Sequence, residues 1–166
     1  MATDFLTLLH RDHHDLEAGL TELLRPEASI AEIRASLDGV RLGLTAHSEA
    51  EDIILDAALR RCDSVEILTG LVEQGRAAHL AQEGALAALV CAVPGTAAWR
   101  ARARHLLDLV HEHAAYEEAY IVPAIRELAP AIYASLAGAF ATERMRQLAM
   151  LQPSAVFYVP ELARAS

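Results

Sequence analysis

In four stretches of this chain, apolar residues recur at alternating steps of three and four, and a histidine interrupts each repeat near its middle. Steps of three and four place side chains on one helix face, so each stretch predicts an α-helix with a buried apolar seam. In two stretches a glutamate follows the histidine one helical turn later. The interrupting residues are His13, His47 with Glu51, His79, and His113 with Glu117. Any fold of this chain must therefore accommodate polar groups in the middle of every seam.

Capping and helix-breaking residues divide the chain into five predicted helices. These helices run from Asp4 to Leu24, from the capping box at Ser29 to about Arg61, from after Ser64 to before Pro94, from Thr96 to Pro123 or slightly past it, and from Pro130 to about Leu151. Long helices joined by loops of a few residues favour an all-α, antiparallel up-down four-helix bundle with an additional C-terminal helix. We expect residues 1–129 to form the bundle. Residues 130–166 are predicted to form a helix and tail of the same domain, with an apolar segment at Val156–Val159.

The composition narrows the classes of function. The formal net charge of −9 argues against binding to nucleic acid, and the sequence shows no polybasic stretch for anionic lipid. We see no signal peptide and no run of 18 apolar residues, so neither secretion nor a membrane span is expected. Cys62 and Cys91 form no CxxC motif and are interpreted as reduced thiols. We therefore expect a cytoplasmic protein, either a monomer or a homodimer.

The histidines that interrupt the four apolar seams predict a metal centre. A buried imidazole or carboxylate without a partner costs several kcal/mol, so four interrupted seams need a shared compensating partner. Histidine nitrogen and carboxylate oxygen together are ligands of first-row transition metals, and bundle cores hold such sites. Four histidines divided between two ions, two bridging carboxylates and a bridging oxide or hydroxide would give each ion five ligands. The alternative for a single seam histidine is an ordinary hydrogen-bonded core residue.

Further polar residues lie near these positions. Three of them are left open as additional ligands: Glu83, Glu118 and Tyr120. Tyr120 continues the seam of the fourth helix, and Glu118 would reach the site only if that helix were distorted. The remaining histidines leave the seams and are predicted to lie on the surface; they are His10, His14, His105 and His111. For His10 and His14, which flank His13, the alternative is a supporting role next to the ligands.

At these residues the sequence resembles the hemerythrin-like family, the HHE cation-binding domains, over about residues 4–128. The matching motifs are Leu8-Leu9-His10-Arg11-Asp12-His13, His47-xxx-Glu51, the isolated His79, and His113-xxx-Glu117-Glu118 followed by Pro123. The resemblance implies a four-helix bundle with a non-heme di-iron centre, two irons per chain with an oxygen-derived bridge, in preference to manganese or zinc. The ligands it implies are His13, His47, Glu51, His79, His113 and Glu117.

The sequence also departs from the oxygen-carrying members of that family. Those proteins have HxxxH in the third helix and HxxxxD in the fourth, whereas this chain has His79-xxx-Glu83 and His113-xxx-Glu117. The ligand set is closer to that of the bacterial, mycobacterial-type hemerythrin-like proteins and of the iron-sensing HHE domains. The resemblance thus implies reaction with peroxide, dioxygen or nitric oxide, with catalase- or peroxidase-like turnover as its most concrete form. Two alternatives stay open: a module that binds or senses iron, dioxygen or nitric oxide without turnover, and a structural bundle that holds zinc.

Overall fold

The computed structural model describes residues 3–62 and 65–152, and within these ranges every regular element is helical. The elements are α1 (Phe5–Leu23), α2 (Ile30–Leu59), α3 (Val65–Val90), α4 (Ala97–Tyr116), a π-helical turn (Glu117–Ile121), α5 (Val122–Leu128) and α6 (Pro130–Leu151). The predicted all-α class is confirmed. The apolar segment Val156–Val159 lies outside the described residues.

The helix starts follow the capping residues of the sequence. The Asp4 carboxylate accepts a hydrogen bond from the backbone N–H three residues later, at 2.9 Å, and the hydroxyl of Thr96 accepts the equivalent bond at 3.1 Å. Ser29 and Glu32 form a complete capping box at the start of α2. Such caps satisfy backbone N–H groups that a helix leaves unpaired in its first turn, which fixes where each helix begins.

The helices form a bundle with one helix added to its side. α1 packs on α2 and α4, α3 packs on the same two helices, and the π turn carries α4 onward into α5. α6 returns along the outside and packs mainly on α2 and also on α1. The additional C-terminal helix therefore lies over the α1–α2 face of the bundle.

The hydrophobic core of the bundle has two parts, with a polar layer between them. One part, here called the Phe5 cluster, includes Phe5, Leu9, Ile54, Val72, Ile121 and Phe140. The other, the Trp99 cluster, includes Leu16, Leu44, Leu86, Trp99 and Val110. Along each of the four bundle helices, the seam passes from one cluster to the other through a buried histidine. The polar breaks predicted from the sequence thus lie at one common level.

The end of the fourth seam differs from the prediction because the helix contains a π turn there. The N–H of Val122 donates to the carbonyl of Glu117, five residues back, so this turn contains one more residue than an α-helical turn. Because of the extra residue, the side chains that follow it face the core one position later than a continuous α-helix would place them. Ile121 and Ile125 are buried as a result, while Tyr120, which the sequence places on the seam, is 58% exposed.

α1 and α2 approach closely at Gly19. A Cβ atom at Gly19 would lie 2.9 Å from Val40 Cγ2, whereas one at Gly39 would meet nothing within 4 Å. We expect Gly19→Ala to lower the free energy of unfolding by about 1 kcal/mol through overpacking. Gly39→Ala should raise it by about 0.5–1 kcal/mol, because alanine favours a helix over glycine. Urea unfolding of both variants measures the difference, and equal gains in stability would contradict the close approach.

Two further expectations concern the cysteines and the membrane. Both cysteines are free thiols; Cys62 is half-buried and Cys91 is exposed. In the part of the chain that the structure describes, no helix combines the length and the hydropathy that a membrane crossing needs.

Candidate metal centre

The four seam histidines converge in the middle of the bundle. Their rings are buried, with His47 1% exposed and His13, His79 and His113 each 3% exposed. Ring centroids lie 4.4 Å apart for His79 and His113, 5.0 Å for His13 and His47, and 6.2 Å for His47 and His113. Each of α1 to α4 therefore contributes one imidazole to the same small volume.

Glu117 lies between two of these histidines and presents a different oxygen to each. Its Oε2 is 3.1 Å from His13 Nε2, and its Oε1 is 3.2 Å from His113 Nε2. Glu117 is the first residue of the π turn and is fully buried. A carboxylate held in this way can serve two metal ions at once.

Glu51 faces the other two histidines from α2. Its Oε2 lies 3.5 Å from His47 Nε2 and 3.9 Å from His79 Nε2. The potential ligand atoms fall into two sets, each with all its atoms within 4.8 Å of one another: His13, His47, His113 and Glu117; and His47, Glu51, His79 and His113. All six residues that the sequence singled out are thus brought together.

The cluster contains more acceptor atoms than donors. His13 and His79 contact carboxylates through Nδ1, which assigns the ring proton to Nδ1 and leaves the Nε2 lone pair directed into the cluster. His79 Nε2 lies 2.9 Å from His113 Nε2, where at most one of the two nitrogens can carry a proton. Both Glu117 oxygens, Glu51 Oε2 and His13 Nε2 have no hydrogen-bond partner within residues 3–62 and 65–152. Lone pairs that face one another in a buried space fit a bound cation.

Burial shifts the pKa values of these groups away from the charged forms. Desolvation lowers the pKa of His47 well below 6.5, and the neighbouring His13 lowers it further; desolvation also lowers the pKa of His113. Desolvation raises the pKa of Glu117 to about 7. It raises the pKa of Glu51 well above 4.5, and the nearby Glu117 carboxylate adds to this effect. The metal-free cluster therefore favours neutral side chains, and a cation would reverse that preference for the carboxylates.

Outside this cluster, carboxylates face the second ring nitrogen of three histidines. The Nδ1 contacts are His13 with Glu118 at 3.3 Å, His79 with Asp52 at 3.0 Å, and His47 with Asp12 at 3.5 Å. A carboxylate at the far nitrogen orients a metal-binding histidine and increases its basicity. Among the residues described, His113 Nδ1 faces no carboxylate, and neither it nor His47 Nδ1 has a hydrogen-bond partner.

Each of these three carboxylates in turn contacts a basic group. Glu118 contacts His10 at 3.0 Å, and Asp52 contacts Arg76 at 3.5 Å. Asp12, on α1, forms a hydrogen-bonded ion pair with Arg144 of α6. Burial raises the pKa of Asp12, and the positive charge of Arg144 opposes this rise.

Of these outer residues, sequence reasoning singled out Glu118, as a possible ligand, but not Asp12, Asp52 or Arg144. Asp52 has the weak signal of following Glu51 directly, and Asp12 precedes His13 within the quoted motif. Arg144 has no local signal, because it is 132 residues from Asp12 in the chain.

The three residues left open as additional ligands lie outside the cluster. Glu83 and Tyr120 are exposed. Glu118 is half-buried and faces His10 and the outer nitrogen of His13. The histidines predicted to be at the surface are exposed, as expected: His10, His14, His105 and His111.

Comparison with protein-family models matches residues 4–139 to the hemerythrin HHE cation binding domain. The match spans most of the chain, so the protein belongs to this family, as the resemblance indicated. Comparisons with curated proteins and with solved structures give no significant match. The family and the buried histidine–glutamate cluster together indicate a metal site, with iron as the metal they point to.

Proposed function

We propose that this protein holds two iron ions per chain and reacts with small oxidants, either peroxide, dioxygen or nitric oxide. The proposed ligands are His13, His47, Glu51, His79, His113 and Glu117. They are all nitrogen and oxygen donors, and imidazole with carboxylate suits iron. Both cysteines lie outside the two ligand sets, so a thiolate site is not proposed.

The observation that carries the proposal is the set of facing lone pairs in the polar layer. Ligand atoms about 2.1 Å from one ion lie about 3 Å apart when they subtend a right angle, as metal–nitrogen and metal–oxygen bond lengths require. The contacts of Glu117 with His13 and His113, at 3.1 and 3.2 Å, match that spacing. Glu117 presents one oxygen to each histidine, which supports two ions in preference to one.

Bound iron would supply the change of oxidation state that these oxidants require. The chain holds its ligands in a buried layer between two hydrophobic clusters, which limits the access of water. Glu118 connects the outer nitrogen of His13 to His10, whose side chain is 53% exposed. Glu118 can hold a proton between the centre and the surface. Catalase-like turnover, in which two hydrogen peroxide molecules give two waters and one dioxygen, needs no further reactant.

A second candidate is a binding or sensing module without turnover. It is favoured by the unpartnered carboxylate oxygens of Glu51 and Glu117 in the metal-free cluster. Because these groups destabilise the empty bundle, iron uptake stabilises the fold and couples metal supply to helical order. This candidate predicts a large rise in the unfolding temperature on iron loading and slow reaction with peroxide.

Iron loading of His113→Ala tests the proposed function. We expect about two irons per chain in the wild type, near-ultraviolet charge-transfer bands and peroxide loss with release of dioxygen. His113→Ala should bind less iron and lose at least 90% of this turnover. His105→Ala is the matched control, since His105 is exposed on the same helix, and it should behave as the wild type.

The outcomes separate the hypotheses. Equal peroxide turnover in His113→Ala and the wild type would remove the enzymatic assignment. Iron binding with a large thermal shift but no turnover would favour the binding or sensing module. One zinc per chain without iron would support the structural bundle and contradict a di-iron centre.

A further inference from the structure

α6 reaches the metal centre from outside the bundle. Its residue Arg144 binds the Asp12 carboxylate of α1, and Asp12 Oδ2 faces Nδ1 of His47 on α2 at 3.5 Å. On the same helix, the ring of Phe140 packs edge-on against His47 with centroids 5.8 Å apart. α6 therefore contacts the surroundings of His47 at two points.

The Arg144–Asp12 pair is shielded from solvent, so each partner depends on the other. The Asp12 side chain is 11% exposed and that of Arg144 is 25% exposed. A charge-assisted bond from a planar guanidinium fixes both the position and the rotation of a carboxylate. Without Arg144, Asp12 would be a buried carboxylate that lacks its hydrogen-bonded cation, and it would be free to turn towards water.

His47 differs from the other histidines in this dependence on α6. The carboxylates facing His13 and His79 are Glu118 and Asp52, and both come from the bundle itself. The cation beside Asp52 is Arg76 of α3, also within the bundle. Arg144 lies beyond residue 139, where the match to the family ends.

We propose that Arg144 is a positioning residue, through which α6 sets the orientation of His47 in the metal centre by way of Asp12. Arg144 holds the Asp12 carboxylate against Nδ1 of His47, and this directs Nε2 of His47 towards Glu51. Phe140, also on α6, packs edge-on against the His47 ring. This inference rests on the proposed metal centre, and it adds the C-terminal helix to the elements that determine metal retention.

The test is the rate at which the iron-loaded full-length protein releases iron to a ferrous chelator under reducing conditions. Loss of an outer partner of a metal-binding histidine costs about 10–100-fold in metal affinity, so Arg144→Met should release iron at least about 10-fold faster than the wild type. Arg146→Met is the matched control, because Arg146 lies on the same helix and binds Glu143 within it. It should release iron at the wild-type rate.

A double variant tests whether Arg144 acts through Asp12. Asp12→Asn should also accelerate release, and adding Arg144→Met to it should cause no further acceleration, because the proposed path is already broken. Independent, multiplying effects would show that Arg144 acts by another route and would overturn the proposal. Release at the wild-type rate in Arg144→Met would overturn it as well.

The failures of the two proposals are distinguishable. If the wild type binds no iron, the proposed metal centre itself is wrong. If His113→Ala loses iron while Arg144→Met keeps it as the wild type does, the centre stands and the role of α6 is wrong. Circular dichroism of the metal-free variants checks folding. If Arg144→Met does not fold, Arg144→Lys replaces it in the test, because lysine keeps the positive charge but lacks the planar guanidinium. Iron release from Arg144→Lys at the wild-type rate would contradict the positioning role of Arg144.

Discussion

Glu51→Met is expected to make the metal-free protein more stable and to abolish the proposed binding of two irons. Glu51 is 1% exposed, its Oε2 has no hydrogen-bond partner among the described residues, and the Glu117 carboxylate lies nearby. A buried polar group without a hydrogen-bond partner costs about 1–3 kcal/mol, so an apolar side chain of similar length in its place should stabilise the metal-free protein by a similar amount. The same change removes an oxygen that faces both His47 and His79, so iron binding should fail. Stability and metal capacity thus change in opposite directions.

Thermal unfolding of each variant with and without iron measures both the stability of the metal-free protein and the stabilisation by bound iron. Glu49→Met is the matched control, because Glu49 is exposed on the same helix two residues earlier and the substitution is identical. The control should keep its iron and shift the free energy of unfolding by less than about 0.5 kcal/mol. A metal-free Glu51→Met protein less stable than the wild type would show that Glu51 contributes to the fold on its own, against a site built for a cation.

The metal-free protein is also expected to lose stability as the pH rises above neutrality. Stability rises with pH where the unfolded chain binds more protons than the folded one, and falls where it binds fewer. His47 and His113 have pKa values lowered from 6.5 by burial, so below pH 6.5 the unfolded chain takes up protons that the folded chain does not. These two histidines therefore remove stability as the pH falls.

The buried carboxyls have the opposite effect. Burial raises the pKa of Glu117 from 4.5 to about 7, so in that window the folded chain keeps a proton that the unfolded chain has released. The shift corresponds to about 3 kcal/mol in the free energy of unfolding, and this stability is lost as the pH rises from 4.5 to about 7. Glu51, whose pKa is also raised, adds to the loss. Above pH 6.5 the opposing effect of the two histidines fades as the unfolded imidazoles lose their remaining protons, and Glu117 and Glu51 together outweigh it.

Urea unfolding of the metal-free protein at intervals from about pH 6.5 to about pH 8 measures this trend. The free energy of unfolding should fall across the interval in the wild type and fall less steeply in Glu51→Met. Iron binding should strengthen over the same interval, since metal ligands must be deprotonated. A free energy of unfolding that stays level or rises towards pH 8 in the metal-free wild type would contradict the raised carboxyl pKa values.

Much of the fold and of the cluster follows from local sequence patterns. Steps of three and four locate the helix faces, and capping residues such as Ser29 and Thr96 locate helix starts. Because a buried polar group needs a partner, seam histidines in four helices predict one shared polar layer. The division into residues 1–129 and 130–166 stays a prediction, as do the cytoplasmic location and the state of assembly.

What the patterns missed depends on long-range geometry or on a change of helical period. Tyr120 is exposed because it lies within the π turn, where one extra residue shifts the helix faces, and a constant period of 3.6 residues cannot anticipate that shift. Arg144 is paired with Asp12 across 132 residues, and no local pattern relates the two. The path of α6 along the bundle, which joins them, is decided by tertiary packing of its apolar face against α2.

The separation of the core into the Phe5 cluster and the Trp99 cluster has a consequence for cooperativity. Each cluster holds its own end of the bundle, and the layer between them offers little cohesion when it contains only neutral polar groups. One end can then open while the other stays folded. Metal ions bound by side chains from four helices would cross-link the middle of the bundle, so that both ends would unfold together.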